Sequence, residues 1–405
     1  MISGYEGTSP ERDLEFLKVL GEKLSGRSVL NVNSTKSGGG VAELLNRIVP
    51  MLGELGLDAR WEVIRGDADF FDMTKKLHNS LQGNREHITY EMWEHYYQVN
   101  RRNAERLDLK ADFVFVHDPQ PLPLIKNPKR EGTWIWRCHI DMSSPQKNAL
   151  RRVSTLSRLY DAAVFSVAGF AMQMPMPEYI VLPSIDPLSE KNRELSAEEI
   201  FAVAARFGIP QDRPVLLQVS RFDRFKDPIG VIKTYRLVKK YNDCILVLAG
   251  SPATDDPEGA RVLEEVKEFA KGDPDIKILL LPPFSDKEIN ALQRMAAIVF
   301  QKSLREGFGL TVSEAMWKGK PVIGGAVGGI PYQIINGMTG FLIYSVEGAA
   351  FRARQLLNNE DMLRRMGEQA MEHVRNNFLI TRQLRDYLSV LVSLENREKT
   401  LIELV

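Results

Sequence analysis

Short apolar runs alternate with segments of helical composition along most of the chain, from Val29 to Phe341. Each run has the length of one buried strand, and each is followed by enough chain for a helix. Parallel strands need such crossover connections, and the helices then cover both faces of the sheet. The alternation therefore predicts an α/β protein built from doubly wound parallel sheets.

The strand candidates fall into two sets on either side of the segment from Leu182 to Ser189, which is punctuated by prolines and has little periodicity. We therefore place a domain boundary near residue 186, and a chain of 405 residues fits two domains of about 200 residues each. Ligands bind beyond the carboxyl ends of strands in such sheets, so the expected site is a cleft where two such edges face each other. The candidates are Ser28 to Asn33, Arg60 to Ile64, Phe113 to Val116, Trp134 to Cys138 and Ala162 to Ser166 in the first set, and Val215 to Val219, Ile245 to Ala249, Ile276 to Leu281, Ala297 to Phe300, Pro321 to Gly324 and Phe341 to Tyr344 in the second.

Composition limits the partners and the compartment. The 53 Lys and Arg residues balance the 53 Asp and Glu residues, so no overall field would attract nucleic acid or an anionic membrane. The two cysteines, Cys138 and Cys244, exclude a disulfide scaffold and fit a reducing compartment. The N-terminus lacks a basic start with an apolar core, and no run approaches about 18 apolar residues. We expect a cytoplasmic protein, compatible with a homodimer, whose partners are small molecules.

Two glutamates, Glu306 and Glu314, bracket a glycine-rich start of a predicted helix. Gly307 and Gly309 let the backbone turn tightly after the preceding apolar strand. The open amides at a helix start bind phosphate through hydrogen bonds and the positive end of the helix dipole. The segment therefore favours a sugar-nucleotide site in which a carboxylate holds sugar hydroxyls. Two solvated glutamates on a surface turn are the alternative.

A second anion-binding signal follows the first strand of the second set, between Ser220 and Asp227. Arg221 and Lys226 would stabilise the negative charge that develops on a diphosphate leaving group. The alternative is a solvated loop in which the two basic residues pair with the aspartates of the same segment. The position directly after a strand favours phosphate binding.

Polar and glycine residues follow strands of the first set as well. Gly39 and Gly40 begin a helix after the first strand, either as an ordinary turn or for close backbone approach to a ligand. Asp118 and His139 follow two later strands, so we expect both at the ligand-binding edge of the sheet. Lone residues of these types are otherwise mostly surface or structural groups. The His and Cys positions form no zinc pattern, so no structural metal is predicted.

The spacing from Glu306 to Glu314 resembles the Glu-x7-Glu signature of retaining glycosyltransferases with two Rossmann-like domains, the B-type architecture. This resemblance implies that a last helix crosses back, so that 1–185 with about 383–405 forms an acceptor-side domain and 186–382 a nucleotide-sugar-binding domain. It also implies that Arg221 and Lys226 hold the donor diphosphate, that Glu314 holds the donor ribose, and that Glu306 lies against the donor sugar. The other donor-side residues are then Gly39, Gly40, Gly307, Phe308, Gly309, Leu310 and Thr311.

The same resemblance implies roles for residues of the first domain and for the base. His139 would sit beside the donor sugar, and Asp118 would bind sugar hydroxyls. The base would pack near Pro283 and Phe284, where an ordinary strand-to-helix turn explains the residues equally well. The remaining acceptor-side expectations are His78, Gln120 and Arg137, although a solvated helix face also accounts for His78.

Three further segments, Ser34-Thr35, His117 to Pro121 and Ser184 to Ser189, resemble the glycosyltransferring trehalose synthases. This implies transfer of glucose from a nucleoside-diphosphate glucose, such as UDP-glucose or ADP-glucose, to free glucose. The product would be α,α-trehalose, formed with retention and in a reaction that could run in both directions. No tightly bound cofactor is expected, and Mg²⁺ is compatible with the motifs but not required by them. Another retaining hexosyltransferase acting on sucrose, a sugar phosphate or a glycan, a sugar-nucleotide epimerase and a non-catalytic nucleotide-sugar sensor stay open.

Overall fold

A computed structural model of the chain describes residues 1–37, 39–250 and 257–399. The last six residues of the segment expected to return to the first domain, 400–405, lie outside the described residues. The chain forms two compact units. The first comprises Met1–Leu182 and the C-terminal part from Thr381, and the second comprises Pro183–Ile380.

Strands and helices alternate along both units, as the apolar pattern predicts. The strands are β1 (Ser28–Asn33), β2 (Asp58–Val63), β3 (Phe113–His117), β4 (Thr133–Cys138), β5 (Ala162–Phe165), β6 (Glu178–Ile180), β7 (Val215–Val219), β8 (Ile245–Gly250), β9 (Ile276–Leu280), β10 (Ile298–Gln301), β11 (Val322–Gly325) and β12 (Gly340–Ile343). The helices are α1 (Glu11–Lys23), α2 (Gly40–Glu54), α3 (Ala68–Leu81), α4 (Tyr90–Arg106), α5 (Lys147–Ser157), α6 (Ala197–Arg206), α7 (Pro228–Lys239), α8 (Pro257–Ala270), α9 (Asp286–Met295), α10 (Leu310–Trp317), α11 (Ile330–Gln333), α12 (Val346–Leu357), α13 (Glu360–Asn377) and α14 (Ile380–Glu395). Short 3-10 helices lie at Ile2–Tyr5, Leu122–Lys126, Ala168–Phe170 and Arg224–Lys226.

The first unit is built on a sheet of six described strands in the order β2-β1-β3-β4-β5-β6. Every neighbouring pair is parallel, with Asn31 of β1 opposite Phe115 of β3. In the sheet, β2 lies on one side of β1 and β3 lies on the other. The chain therefore reverses its direction of winding at β1. Ligands of open parallel sheets bind at such a reversal, beyond the carboxyl ends of the strands.

The second unit repeats the plan with six described strands in the order β12-β11-β10-β7-β8-β9, again all parallel. Here the winding reverses between β7 and β10. The loops that follow these two strands are therefore brought side by side, although about 80 residues of sequence separate them. The predicted α/β class with two doubly wound parallel sheets is confirmed.

The cores follow from the composition of the strands. All five residues of β3 and all five of β7 are buried, as expected when helices cover both faces of a parallel sheet. In the second unit Leu216 and Leu246 from the sheet pack with Val231, Ile232 and Tyr235 of α7 in one buried cluster. These contacts fix the strands, and hence the loops at their carboxyl ends.

A helix cap places the loop after β7, which matters for the site. Asp227 caps α7 in a left-handed conformation, with φ of 49°, and its carboxylate accepts the N–H of Gly230 at 3.0 Å. Lys226 directly precedes this cap residue, so the cap fixes the direction in which the lysine side chain projects from the loop.

Within the described residues, no helix combines the length and the apolar character needed to cross a membrane.

Candidate functional site

The side chains of Lys226 and Glu306 meet at the winding reversal of the second unit. Lys226 follows β7 and Glu306 follows β10. The Nζ atom of Lys226 lies 2.7 Å from both carboxylate oxygens of Glu306. The lysine side chain is 17% exposed and the glutamate side chain 7% exposed, so solvent screens this pair little.

Two polar side chains from the end of β10 hold the Glu306 carboxylate. Gln301 donates from Nε2 at 2.9 Å and Ser303 donates from Oγ at 2.8 Å, both to Oε2. Burial alone would raise the pKa of Glu306, but the charge of Lys226 and these hydrogen bonds outweigh it and the pKa is lowered. Glu306 is therefore a fixed carboxylate at neutral pH, aimed by three neighbours.

Glycines allow the loop around Glu306 to be tightly packed. Gly309 has φ of +80°, and Gly328 in the loop after β11 has φ of +56°. A Cβ atom on Gly328 would lie 1.8 Å from the carbonyl oxygen of Glu306, and one on Gly329 would lie 2.6 Å from Cα of Phe308. The N–H of Gly329 donates to the Gly307 carbonyl at 2.7 Å. The loops after β10 and β11 thus form one backbone-to-backbone contact in which side chains do not fit.

Helix α10 begins at this loop, with Gly309 as its N-cap residue. Helix geometry leaves the first N–H groups, those of Leu310 and Thr311, without partners inside the helix. Gln333 braces the helix start, because its Nε2 donates to the Phe308 carbonyl at 2.6 Å and its Oε1 accepts the N–H of Ser313 at 3.1 Å. Backbone amides with the positive end of a helix dipole can bind an anion here.

Glu314 lies one turn into α10 and is only 8% exposed. Its Oε1 lies 4.0 Å from Nζ of Lys191, which is also 3.6 Å from the carboxylate of Asp286. Lys318, one turn further, donates to Asn192 Oδ1 at 2.9 Å and to the Glu314 carbonyl at 3.0 Å. Burial lowers the pKa of Lys318 to about 7, against the attraction of Glu314. These contacts attach the segment before α6 to the helix that carries the second glutamate.

The other predicted residues of the second unit lie at its surface. The Arg221 side chain is 66% exposed and lies 3.5 Å from Asp223, the solvated pairing considered above. Pro283 and Phe284 form an exposed turn after β9, and Phe284 is 90% exposed with φ of 66°. An exposed aromatic ring is available for stacking. Phosphate and base binding by these residues stay predictions.

The first unit groups its own predicted residues at the carboxyl ends of β3 and β4. His117 Nδ1 lies 3.0 Å from Nε2 of His139, and His117 Nε2 lies 3.0 Å from Oδ1 of Asn31 in β1. The two imidazole rings are stacked at 17° with their centroids 5.3 Å apart. Burial, with the nearby charge of Arg137, lowers the pKa of His117 to about 3 and that of His139 well below its usual value. Both rings are therefore neutral.

Asp118 is held in an unusual backbone conformation beside these rings. Its φ is 64°, its N–H donates to the Arg137 carbonyl at 2.8 Å, and its Oδ1 accepts the N–H of His139 at 2.7 Å. Burial raises its pKa to about 6, although the His139 N–H and the Arg137 charge oppose the shift. A non-glycine residue in this region of φ is uncommon and concentrates at functional sites.

The other predicted residues of the first unit occupy different places. Gly39 has φ of 83° and is the N-cap residue of α2, which begins at Gly40, so the loop after β1 does begin a helix. Gln120 gives its carbonyl to Nδ2 of Asn100 at 3.1 Å and is half-buried. His78 lies half-buried within α3. Their contact with a ligand stays a prediction.

Arg137 needs a correction, because the expectation that it contacts an acceptor does not fit its surroundings. Its side chain is fully buried in β4. Nε donates to the hydroxyl of Tyr387 at 2.8 Å, and the other nitrogens donate to the carbonyls of Cys138, Val164 and Val181 at 3.1 to 3.3 Å. A guanidinium satisfied by carbonyls inside the fold joins β4, β5 and α14. Its position in a predicted strand, directly after Trp136, did not reveal that the side chain is buried.

Sequence reasoning missed Gln301, Ser303, Gly328 and Gly329. All four lie at the end of an apolar strand or in the loop that follows it, which is the signal that identified Gly307 and Gly309. The pair Gly328-Gly329 lies in the glycine-rich stretch after β11, and Gln301 and Ser303 are the polar residues at the end of β10.

Among the described residues, no three His, Cys, Asp or Glu side chains gather closely enough to hold a metal ion.

Two family descriptions match most of the chain. Residues 31–172 match "Trehalose synthase, N-terminal domain", and residues 200–373 match "Glycosyl transferases group 1". The first match falls in the first compact unit and the second in the second unit.

Whole-chain relatives agree with these matches. The trehalose synthase of Thermococcus litoralis is 44% identical over 398 residues, covering 97% of this chain and 97% of its own. The trehalose synthase of Rubrobacter xylanophilus is 44% identical over 388 residues, covering 93% of each chain. Among solved structures, the sucrose-phosphate synthase of Thermosynechococcus elongatus gives a TM-score of 0.69 at 16% identity, over 92% of this chain and 98% of its own, a likeness of fold alone. The resemblance read from the motifs is confirmed.

Proposed function

This chain belongs to the trehalose synthase family of group 1 glycosyltransferases, and on that premise we propose that it joins glucose from a nucleoside-diphosphate glucose to free glucose. The product is α,α-trehalose, formed with retention at the anomeric carbon of the donor. The nucleotide-sugar is a substrate, and the protein needs no resident cofactor. Compartment and direction are part of the proposal: a cytoplasmic enzyme whose reaction can run both ways.

The observation that carries the proposal is the pair of Lys226 and Glu306 beside the start of α10. A cation, a fixed carboxylate and backbone amides at a helix start lie together at the ligand-binding edge of one sheet. The cation and the amides suit a diphosphate, and the carboxylate suits the hydroxyls of a sugar attached to it. A nucleotide-sugar offers both groups in sequence.

The proposed step is substitution at the anomeric carbon on the face from which the diphosphate leaves. The bond from that carbon to the diphosphate oxygen breaks as the acceptor hydroxyl forms its new bond on the same face. The acceptor's proton passes to the departing phosphate oxygen. Lys226 and Arg221 stabilise the charge on the diphosphate, which is greater in the transition state than in the bound donor. Glu306 remains ionised and stabilises positive charge developing on the sugar ring.

The remaining roles follow the same assignment. Glu314, nearly buried on α10, accepts hydrogen bonds from the ribose hydroxyls. His139 lies beside the transferred sugar, and Asp118 accepts hydrogen bonds from sugar hydroxyls.

The test is incubation of the purified chain with UDP-glucose or ADP-glucose and unlabelled glucose, followed by NMR of the products. Parallel reactions replace glucose with glucose 6-phosphate or fructose, and one arm contains EDTA. We expect α,α-trehalose and one nucleoside diphosphate per disaccharide, with EDTA causing little change. The α,α linkage is read directly from the anomeric couplings.

Other outcomes identify the alternatives. A disaccharide formed only with glucose 6-phosphate or fructose would keep a retaining hexosyltransferase and overturn the free-glucose acceptor. Conversion of the donor sugar without a disaccharide would favour an epimerase. Donor binding without any turnover would favour a nucleotide-sugar sensor.

A further inference from the structure

His117 lies between two polar side chains and is almost fully buried. It is 2% exposed, with Asn31 on one ring nitrogen and His139 on the other, each at 3.0 Å. Asn31 is itself 4% exposed, whereas His139 is half-buried. The three side chains come from β1, from the end of β3 and from the residue after β4, so the sheet fixes their spacing.

The hydrogen bonds determine where each ring carries its proton. The amide oxygen of Asn31 faces Nε2 of His117 and can only accept, so that nitrogen must be protonated. A neutral His117 then has a lone pair at Nδ1, which must accept a hydrogen bond from the Nε2–H of His139. His139 consequently keeps a lone pair at Nδ1. Among the described residues that atom has no hydrogen-bond partner.

We propose that Asn31 and His117 are positioning residues, which fix His139 as the Nε2–H tautomer and turn its Nδ1 lone pair outward to accept a hydrogen bond from a hydroxyl of the transferred sugar. The catalytic part of this inference rests on the proposed function, while the tautomer does not. An Nδ1 lone pair that is fixed in direction would select the sugar hydroxyl at that position and would hold the sugar ring in place for the reaction.

The surroundings of Asn31 support a role for its oxygen. Together with Leu45, Ile48, Phe115, His117 and Tyr387 it lines a mostly apolar cavity in the first unit. Its Nδ2 has no hydrogen-bond partner among the described residues. An unsatisfied buried amide is unfavourable, and an apolar side chain would avoid that cost. The bond to His117 accounts for a polar residue at this position.

The neutral state of both rings is consistent with the charges around them. The charge of Arg137, which is fully buried, lowers the pKa of both imidazoles in addition to the effect of burial. Asp118, the acidic group nearest to the pair along the chain, directs Oδ1 to the backbone N–H of His139 and not to a ring. No described carboxylate bonds to either ring, so the chain of hydrogen bonds does not reverse through protonation near neutral pH.

The experiment has a spectroscopic arm that needs no substrate. Long-range ¹⁵N–¹H NMR of the full-length protein distinguishes the two neutral tautomers, and the six histidines allow assignment by single replacements. We expect His117 and His139 both as Nε2–H tautomers. His139 as the Nδ1–H tautomer, or as a mixture, would overturn the proposal whether or not the chain makes trehalose.

The kinetic arm compares two replacements at one position. In His117→Asn the amide oxygen falls near the former Nδ1 and still accepts from His139, whereas His117→Leu has no acceptor. We expect kcat/KM of the Asn variant within about threefold of the parent and that of the Leu variant lowered about 10- to 100-fold, since a misoriented group can cost this much. Leu should also make the His139 tautomer mixed. His87→Leu, at an exposed position of the same unit, is the control.

Folding is checked by thermal unfolding of each variant. If His117→Leu does not fold, Asn31→Leu replaces it, because this change keeps both rings and removes only the group that fixes the first proton. Mixed tautomers with lowered kcat/KM are then expected. Equal losses in His117→Asn and His117→Leu, with the His139 spectrum unchanged, would mean that His117 only supports packing and would overturn the proposal.

Discussion

Lys226 and Glu306 are linked by two contacts of 2.7 Å, from one ammonium to both oxygens of one carboxylate. The pair joins the loop after β7 to the loop after β10. These two strands are neighbours in the sheet, although they are far apart in sequence. Both side chains are largely buried, so each would leave an uncompensated charge without the other. The ion pair therefore keeps the lysine and the glutamate at the sheet edge before any ligand arrives.

Glu306→Gln is expected to lower kcat about 10²- to 10³-fold, because an amide cannot offset positive charge on the reacting sugar. The affinity for the nucleotide-sugar should change by less than about fivefold, since the phosphate contacts remain. Initial rates and calorimetric donor titration measure the two quantities. Glu368→Gln, an exposed residue of α13, is the control. Full turnover by Glu306→Gln would count strongly against the proposed role.

Gly328→Ala is expected to destabilise the second unit and to reduce activity. A left-handed φ costs a residue with a side chain about 1–2 kcal/mol, and the new Cβ would lie 1.8 Å from the Glu306 carbonyl oxygen. Gly337→Ala separates the two effects, because Gly337 has φ of +82° but open space around its Cβ position. Thermal unfolding should show the larger loss for Gly328→Ala. Equal losses would mean that the loops after β10 and β11 can separate without cost.

The pH dependence of kcat/KM should show an acidic limb near the Asp118 pKa of about 6. Asp118 binds hydroxyls best as a carboxylate, so activity should rise as the pH increases through this value. The pKa of His117, at about 3, and that of His139, well below its usual value, lie too low to produce the limb. Asp118→Asn should lower the rate and remove the limb. A limb unchanged in Asp118→Asn would assign it to another group.

Most of the fold could be predicted because buried parallel strands have short apolar sequences that are easy to recognise. All eleven predicted strands are present within one or two residues at either end. The missed strand, β6 at Glu178–Ile180, is three residues long and only partly buried. It follows a stretch of alternating Met and Pro, so neither apolar content nor length distinguished it from a loop.

The site was predictable only to the level of which loops carry it. Position after a strand identified Lys226 and Glu306 as residues at one sheet edge, and the structure brings them into contact. Pairings across the sheet, such as Asn31 with His117, depend on register and rotamer and leave no pattern in the sequence. Arg137 shows the same limit of prediction. A charged residue in a strand does not reveal from sequence whether backbone carbonyls inside the fold will accept its hydrogen bonds.

Tyr387→Phe tests the structural role of Arg137. The change removes the acceptor of Arg137 Nε and leaves a buried charged donor unsatisfied, which costs about 1–3 kcal/mol. We expect a lower unfolding temperature of the first unit with kcat and acceptor KM close to the parent. Tyr90→Phe, at a 70% exposed position of the same unit, should change neither. A raised acceptor KM without loss of stability would instead return Arg137 to the acceptor site.

Lys318 gives a pH dependence of stability that is independent of any substrate. Its pKa is lowered to about 7 mainly by burial, while the unfolded chain holds the proton until about pH 10.4. Between these values the unfolded state binds more protons than the native state, so the free energy of unfolding rises with pH.

Lys318→Met removes that dependence and also the hydrogen bond to Asn192. Relative to the parent, the variant should therefore lose about 2 kcal/mol of stability between pH 7 and pH 9, because only the parent gains from releasing its proton. Below pH 7 the difference should be constant, since the lysine is then charged in both states. Thermal unfolding of both proteins from pH 6 to pH 9 measures this difference, with Lys271→Met at an exposed position as the control. Parallel pH curves for the parent and Lys318→Met would mean that the buried lysine keeps its charge, held by Glu314, and that the segment before α6 is attached to α10 by an ion and not by a neutral amine.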